Sequence, residues 1–174
     1  EIESMIQGIA PLLEDPITSR FRFGLIAVGT ATNGELRSPY MYSTMVSNFV
    51  PADEFLEILE DARAIPSAGQ EPTIDTMFWT MRLYPFSWRL TAQKVIITMT
   101  DEIAQTILGK DCNEINDIAI EDGFELFVFA LEPHHNTFLD CVNGQNRRLF
   151  TPAANSETVF LQIRRIFDDL CIDR

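Results

Sequence analysis

The sequence predicts an α/β protein: an open, mostly parallel sheet with one antiparallel edge strand and helices on both faces. Three observations predict it. Short, densely apolar runs (Phe21–Gly29, Lys94–Thr100 and Phe124–Leu131) alternate with stretches whose apolar residues recur at helical spacing. Those runs are apolar at consecutive positions, as strands covered on both faces are. The step Asn33-Gly34 after the first run is a strong hairpin signal and supplies the antiparallel member. At about 150 residues per domain, 174 residues make one domain, and 1–174 is read as a single unit without linker, repeat or low-complexity stretch.

Each element follows from its residues. Ile2, Met5, Ile6, Ile9, Leu12 and Leu13 line one face of a helix that runs to about Glu14, and Pro16 prevents its continuation. Phe21–Gly29 reads as a strand buried on both faces. After the Asn33-Gly34 turn, Pro39–Val50 returns antiparallel to it. Phe55, Leu56, Leu59 and Ala62 share a helical face, with Asp53 and Glu54 near its positive end. Ile65–Glu71 is a loop, and Thr73–Leu83 resumes helical spacing through Ile74, Met77, Phe78 and Met81. Lys94–Thr100 is a short buried strand ending at Asp101.

Asp111 and Glu114 form a capping-box pattern before Ile115, Ile118 and Ala119, and Gly123 stands where a left-handed residue ends a helix. Phe124–Leu131 is the next buried strand. A two-turn helix over 136–142 and a short strand over 148–150 follow. Asn155 or Ser156 caps a last helix whose inner stripe is Val159, Phe160, Ile163, Ile166, Phe167 and Leu170. The result is a Rossmann-like layered architecture.

Composition excludes several functions. Thirteen basic against twenty-six acidic side chains leave a net charge of −13, which argues against nucleic acid and against an anionic membrane surface. No apolar run approaches the roughly 20 residues that a spanning helix needs, so this segment inserts into no membrane. The chain opens on Glu1 with no basic and apolar leader, and we expect a mature product or a fragment. No Gly-rich phosphate loop, Gly-x-Ser-x-Gly or His-Glu-x-x-His occurs.

The order of these elements and joints resembles the von Willebrand factor A domain. Phe21–Gly29 looks like that family's second strand, and the Asn33-Gly34 hairpin leads to its antiparallel edge strand. Glu71-Pro-Thr-Ile-Asp-Thr76 resembles the loop that supplies a metal-coordinating Thr. Lys94–Asp101 looks like the fourth strand, closing on the metal-site Asp, while 122–130 and 148–150 resemble the last two strands. The likeness spans nearly the whole chain. One departure stands out: the family opens with a central strand ending in Asp-x-Ser-x-Ser, and nothing like it occurs here. The resemblance therefore implies an N-terminally incomplete domain. Its missing central strand would come from an upstream segment or another chain.

The resemblance implies a protein-interaction or adhesion module that binds a protein partner at the top of the sheet through a divalent cation, usually magnesium. Oxygen ligands suit that small octahedral ion. Carried over, the metal ligands are Thr73 and Asp101, and two oxygens do not make a cage. The plainer reading is that Thr73 caps the helix at Ile74 and Asp101 caps the segment after its strand. Glu102 replaces the Gly common in the family, as a solvated carboxylate or a mark of an altered site.

Three cysteines leave at least one unpaired within the chain. Cys112 and Cys141 resemble a pair in von Willebrand A-like proteins of bacterial tight-adherence pili, and Cys171 resembles a Cys that closes extracellular members. Such bridges imply an oxidising compartment, extracellular or in the cell envelope; free, buried thiols leave a cytoplasmic location open. The alternative function is a metal-independent scaffold subunit with a degenerate site. A third is an enzyme using His134, His135 and nearby carboxylates; the expectation is no enzyme, with His134 and His135 on an exposed loop.

Overall fold

The structure is a computed structural model, and it describes residues 2–27, 40–41, 49–62, 71–83, 86–144, 147–151 and 155–172. The elements in chain order are α1 (Ile2–Leu13), β1 (Ile26–Ala27), β2 (Tyr40–Met41), α2 (Ala52–Ala62), α3 (Thr73–Phe78), β3 (Lys94–Thr100), α4 (Cys112–Asp122), β4 (Phe124–Ala130), α5 (His135–Phe138), β5 (Arg148–Phe150) and α6 (Ser156–Ile172). They fall into two compact units. One is built from Glu1–Leu25, Tyr42–Pro66 and Pro152–Arg174, the other from Ile26–Met41 and Ser67–Thr151.

In the first unit α1 packs on α6 and α2. Gly8 lets α1 approach α6 closely: a Cβ there would lie 2.8 Å from the Ser156 carbonyl oxygen and 2.9 Å from the Val159 Cβ. A larger residue would have to push the helices apart. Leu12, Leu13, Val159, Ile163, Ile166, Phe167 and Leu170 are buried, as the helical stripes predict. Asn155 caps α6, its Oδ1 accepting from the Thr158 N–H at 2.9 Å.

The expected strand over 21–29 is corrected here. Among the described residues only Ile26–Ala27 is strand, and Phe23 makes a single antiparallel bridge with Val50. Arg22 and Gly24 are exposed. Phe21 and Phe23 instead turn inward, Phe23 stacking on Phe55 at 5.0 Å and Phe21 meeting Phe167 at 5.1 Å. The segment alternates with period two, which is the mark of a strand with one covered face.

The second unit holds a three-stranded parallel sheet in the order β3-β4-β5, with Lys94 opposite Phe124, Thr100 opposite Ala130 and Phe127 opposite Arg148. Phe124, Leu126, Val128 and Ala130 of β4 pack with Ile74, Met77 and Met81 and with Ile115 and Ala119 of α4. The alternate residues Phe127 and Phe129 are buried as well, and Phe129 stacks on Phe150 at 4.8 Å. β4 is thus apolar on both sides, as its continuous run predicts.

β3 is not. Every residue from Lys94 to Met99 is half-buried, and only Thr100 is buried. The reason is pairing: among the described residues β3 has β4 on one side and no strand on the other. β1 and β2 pair antiparallel, Ile26 opposite Met41 and Ala27 opposite Tyr40, as the hairpin reading expects. They form a separate two-stranded sheet, so β2 is not seen as an edge of the parallel one. The Asn33-Gly34 turn itself lies outside the described residues.

Local signals hold elsewhere. Asp111 accepts from the Glu114 N–H at 2.9 Å, and Gly123 ends α4 at φ 70°. α3 continues past Phe78 as a π-helical turn over Trp79–Leu83. The predicted helix over 136–142 is instead α5 flanked by 3-10 turns at Glu132–His134 and Asp140–Val142. Cys112 and Cys141, both buried, are joined by a disulfide with Cα atoms 4.2 Å apart, and Cys171 is free. Among the described residues no helix is long and apolar enough to cross a membrane.

Candidate functional site

The carboxyl end of β3 collects the residues singled out by sequence. Glu71, just before α3, makes a parallel bridge with Ala104, and its carbonyl accepts the Gln105 N–H at 3.0 Å. Its side chain is buried, and its Oε2 accepts from the Thr100 hydroxyl at 2.8 Å. The same hydroxyl accepts the Glu102 N–H at 3.2 Å. These bonds tie the Thr73 segment to the Asp101 segment, which the sequence places about thirty residues apart.

The two carried-over ligands differ in their surroundings. Thr73 is fully buried, and its hydroxyl donates to the Glu71 carbonyl at 3.4 Å. It is not a cap: Pro72 holds the cap position of α3, and no side chain bonds the helix start. Asp101 is exposed and Glu102 half-buried. Among the described residues no three His, Cys, Asp or Glu side chains converge as a metal-binding group. Thr73 and Asp101 supply two oxygens, fewer than the octahedral set that magnesium demands, so a cation here would need further ligands.

Asp75 is the residue that sequence reasoning missed. It is buried in the first turn of α3, and its carboxylate organises the loop after β3. The Thr106 hydroxyl donates to Oδ1 at 2.7 Å, and the N–H groups of Ile107 and Leu108 both donate to Oδ2, the latter at 3.1 Å. The Thr106 hydroxyl in turn accepts the Lys110 N–H at 3.1 Å. Asp75 lies off the apolar stripe of Ile74, Met77, Phe78 and Met81, so helical spacing does not mark it, and its burial is met by these partners. Lys110 closes the loop, its ammonium bonded to Glu114 and lying 4.4 Å from the Phe78 ring centre.

Burial pushes the Glu71 carboxyl above the ordinary glutamate range; Thr100's hydrogen bond opposes this, and the charges of Asp101 and Glu102 add to it. The folded chain therefore holds this proton to higher pH than the unfolded chain. Stability from this group is present at low pH and is lost as pH rises through the folded value. Glu71→Gln keeps an acceptor for Thr100 and removes the charge. Urea midpoints from about pH 4 to neutrality should fall less with rising pH in Glu71→Gln than in the parent. Parallel curves for the two proteins would show the carboxyl to be unshifted.

The histidines lie apart from this loop in sequence. His134 ends the 3-10 turn after β4 and His135 begins α5, both half-buried rather than on an exposed loop. The His135 ring is occupied structurally, its Nε2 lying 2.8 Å from the Ala130 carbonyl oxygen and 3.4 Å from the Thr151 hydroxyl.

The fold is thus an α/β layer arrangement with a parallel sheet, whose strand carboxyl ends bear the polar cluster. Among solved structures, proximal thread matrix protein 1 from the mussel byssus is similar to it, with a TM-score of 0.70, 14% identity and 98% of this chain covered. The chain spans 42% of that protein's length. This likeness is one of fold. No family model and no curated protein matches the sequence.

Proposed function

We propose that the chain is a protein-interaction module of the von Willebrand A type, which receives its partner at the carboxyl end of the sheet. The observation that carries this reading is the loop over 101–110. Two buried residues of the α3 segment, Glu71 and Asp75, hold it from beneath, and it presents large apolar side chains to solvent. Open α/β sheets place ligands in the crevice outside the carboxyl ends of their strands.

The half-buried β3 extends this reading to a second contact. A seven-residue, largely apolar edge strand is a template for another strand. A central strand supplied by a segment outside the described residues or by another chain would pair with β3 and cover it. It would also join the β1–β2 pair to the parallel sheet, making β2 the antiparallel edge strand. The disulfide favours an extracellular or envelope location, because such bonds persist where the compartment is oxidising.

Magnesium belongs in this reading only to the assembled form, with Thr73 and Asp101 contributing two oxygens to a set completed from elsewhere. A second reading is a metal-independent scaffold subunit, in keeping with the two oxygens alone that Thr73 and Asp101 supply. Thermal melting with millimolar magnesium separates them for this chain. The expected result is no shift, and a rise in Tm abolished by Asp101→Asn would instead establish a resident cation. For the partner, a peptide selected from a random display library with the chain as bait, followed by hydrogen-exchange mapping, should protect 101–110. Protection centred on the opposite end of the strands, around Gln93, Lys94, Gly123 and Phe124, would overturn the module reading.

A further inference from the structure

We infer that the loop over 101–110 is a preformed docking surface for a basic, apolar peptide segment of a partner protein. The inference rests on the module reading above and names the chemistry of the partner. Ile103, Ile107 and Leu108 are 46%, 48% and 51% exposed, three large apolar side chains within six residues. The other exposed large apolar residues, such as Leu83, Ile120 and Leu161, stand singly on different elements. Scattered exposure is ordinary, whereas concentration on one ordered loop marks a contact surface.

The loop is held along its length. Glu102 bonds Thr100, Gln105 bonds the Glu71 carbonyl, and Thr106, Ile107 and Leu108 all bond Asp75. With its backbone fixed, the loop cannot fold its apolar side chains away from water. Its ordering entropy is already met in the free chain, which favours binding.

Charge selects the occupant. Exposed Asp101 and half-buried Glu102 flank the apolar residues, with Glu71 buried nearby, and among the described residues neither Asp101 nor Glu102 has an ion-pair partner. The cation at the far end, Lys110, is already engaged by Glu114 and the Phe78 ring. A second copy would bring the same acidic loop from a chain of net charge −13. The complementary surface is therefore one in which Lys or Arg stands beside aliphatic or aromatic side chains.

The test uses the whole chain as bait for a random-peptide display library, and selected peptides are labelled for fluorescence anisotropy. Selected sequences should place Lys or Arg next to Leu, Ile or aromatic residues. Ile107→Ser with Leu108→Ser, a change at exposed positions, should weaken binding about tenfold or more while the thermal melt is kept. Asp101→Asn with Glu102→Gln should weaken it severalfold and reduce its salt dependence. Acidic or wholly polar selected peptides would overturn the inference, as would basic apolar peptides that bind both variants like the parent. Self-association of the parent that is lost in the Ile107/Leu108 variant would also overturn it, making a second copy the occupant. Peptides that protect 101–110 but lack basic residues sink this inference alone, whereas protection away from the sheet's carboxyl end sinks the module reading with it.

Discussion

Replacing Cys112 and Cys141 together by alanine is expected to lower the unfolding free energy by about 3–4 kcal/mol. The bridge spans 29 residues and encloses α4, β4 and α5, so cutting it releases a long loop in the unfolded chain. Both sulfurs are buried against the core of the sheet unit, and alanine would also leave small voids there. Urea unfolding of the double variant beside the parent, with and without reductant, separates the two contributions. Reductant should destabilise the parent and leave the variant unchanged. A parent indifferent to reductant would show that the bridge contributes nothing to stability.

The second large effect is expected at Asp75. Its carboxylate accepts three hydrogen bonds from one loop, and alanine would leave the Thr106 hydroxyl and two backbone N–H groups without their acceptor. Bonds to an ionised carboxylate are worth about 1.5–3 kcal/mol each, and water replaces part of them where the loop is exposed. A net loss of about 2–4 kcal/mol follows for Asp75→Ala. Asp75→Asn retains one acceptor oxygen and should recover about half of it. Amide exchange of Ile107 and Leu108 should accelerate sharply in Asp75→Ala, ahead of the core strand β4. Unchanged exchange at those two amides would mean that the loop is ordered by something other than Asp75.

Sequence periodicity reached far into this fold because most elements obey a single dominant rule. The inner stripe of α6, the Asp111 cap, the Gly123 terminus and the continuous apolar run of β4 are local patterns with local causes. Two readings failed where tertiary pairing decides. Phe21–Leu25 looks densely apolar, yet its Phe-Arg-Phe-Gly-Leu order already alternates, and only the aromatic neighbours Phe55 and Phe167 show which face is covered. β3 reads as buried like β4, but Lys94, Thr98 and Thr100 make it the more polar of the two, and among the described residues it has a strand on one side only.

The site was legible in outline only. Thr73 and Asp101 were marked by resemblance, and the structure ties their segments through the Glu71–Thr100 bond. The anchoring roles of Glu71 and Asp75 depend on contacts between residues about thirty positions apart, which spacing alone does not encode.

The close approach of α1 to α6 at Gly8 bears on how the molecule is made. Leu13 leaves the ribosome long before Ser156, and at about 5–20 residues per second the interval is on the order of 10–30 s. Through that time the first helix has only α2 to pack on, and the face that meets α6 stays uncovered while the residues of the parallel sheet emerge and complete their own unit. Translation order and chaperone occupancy of that waiting segment thus become determinants of yield, even though every contact involved belongs to the finished fold.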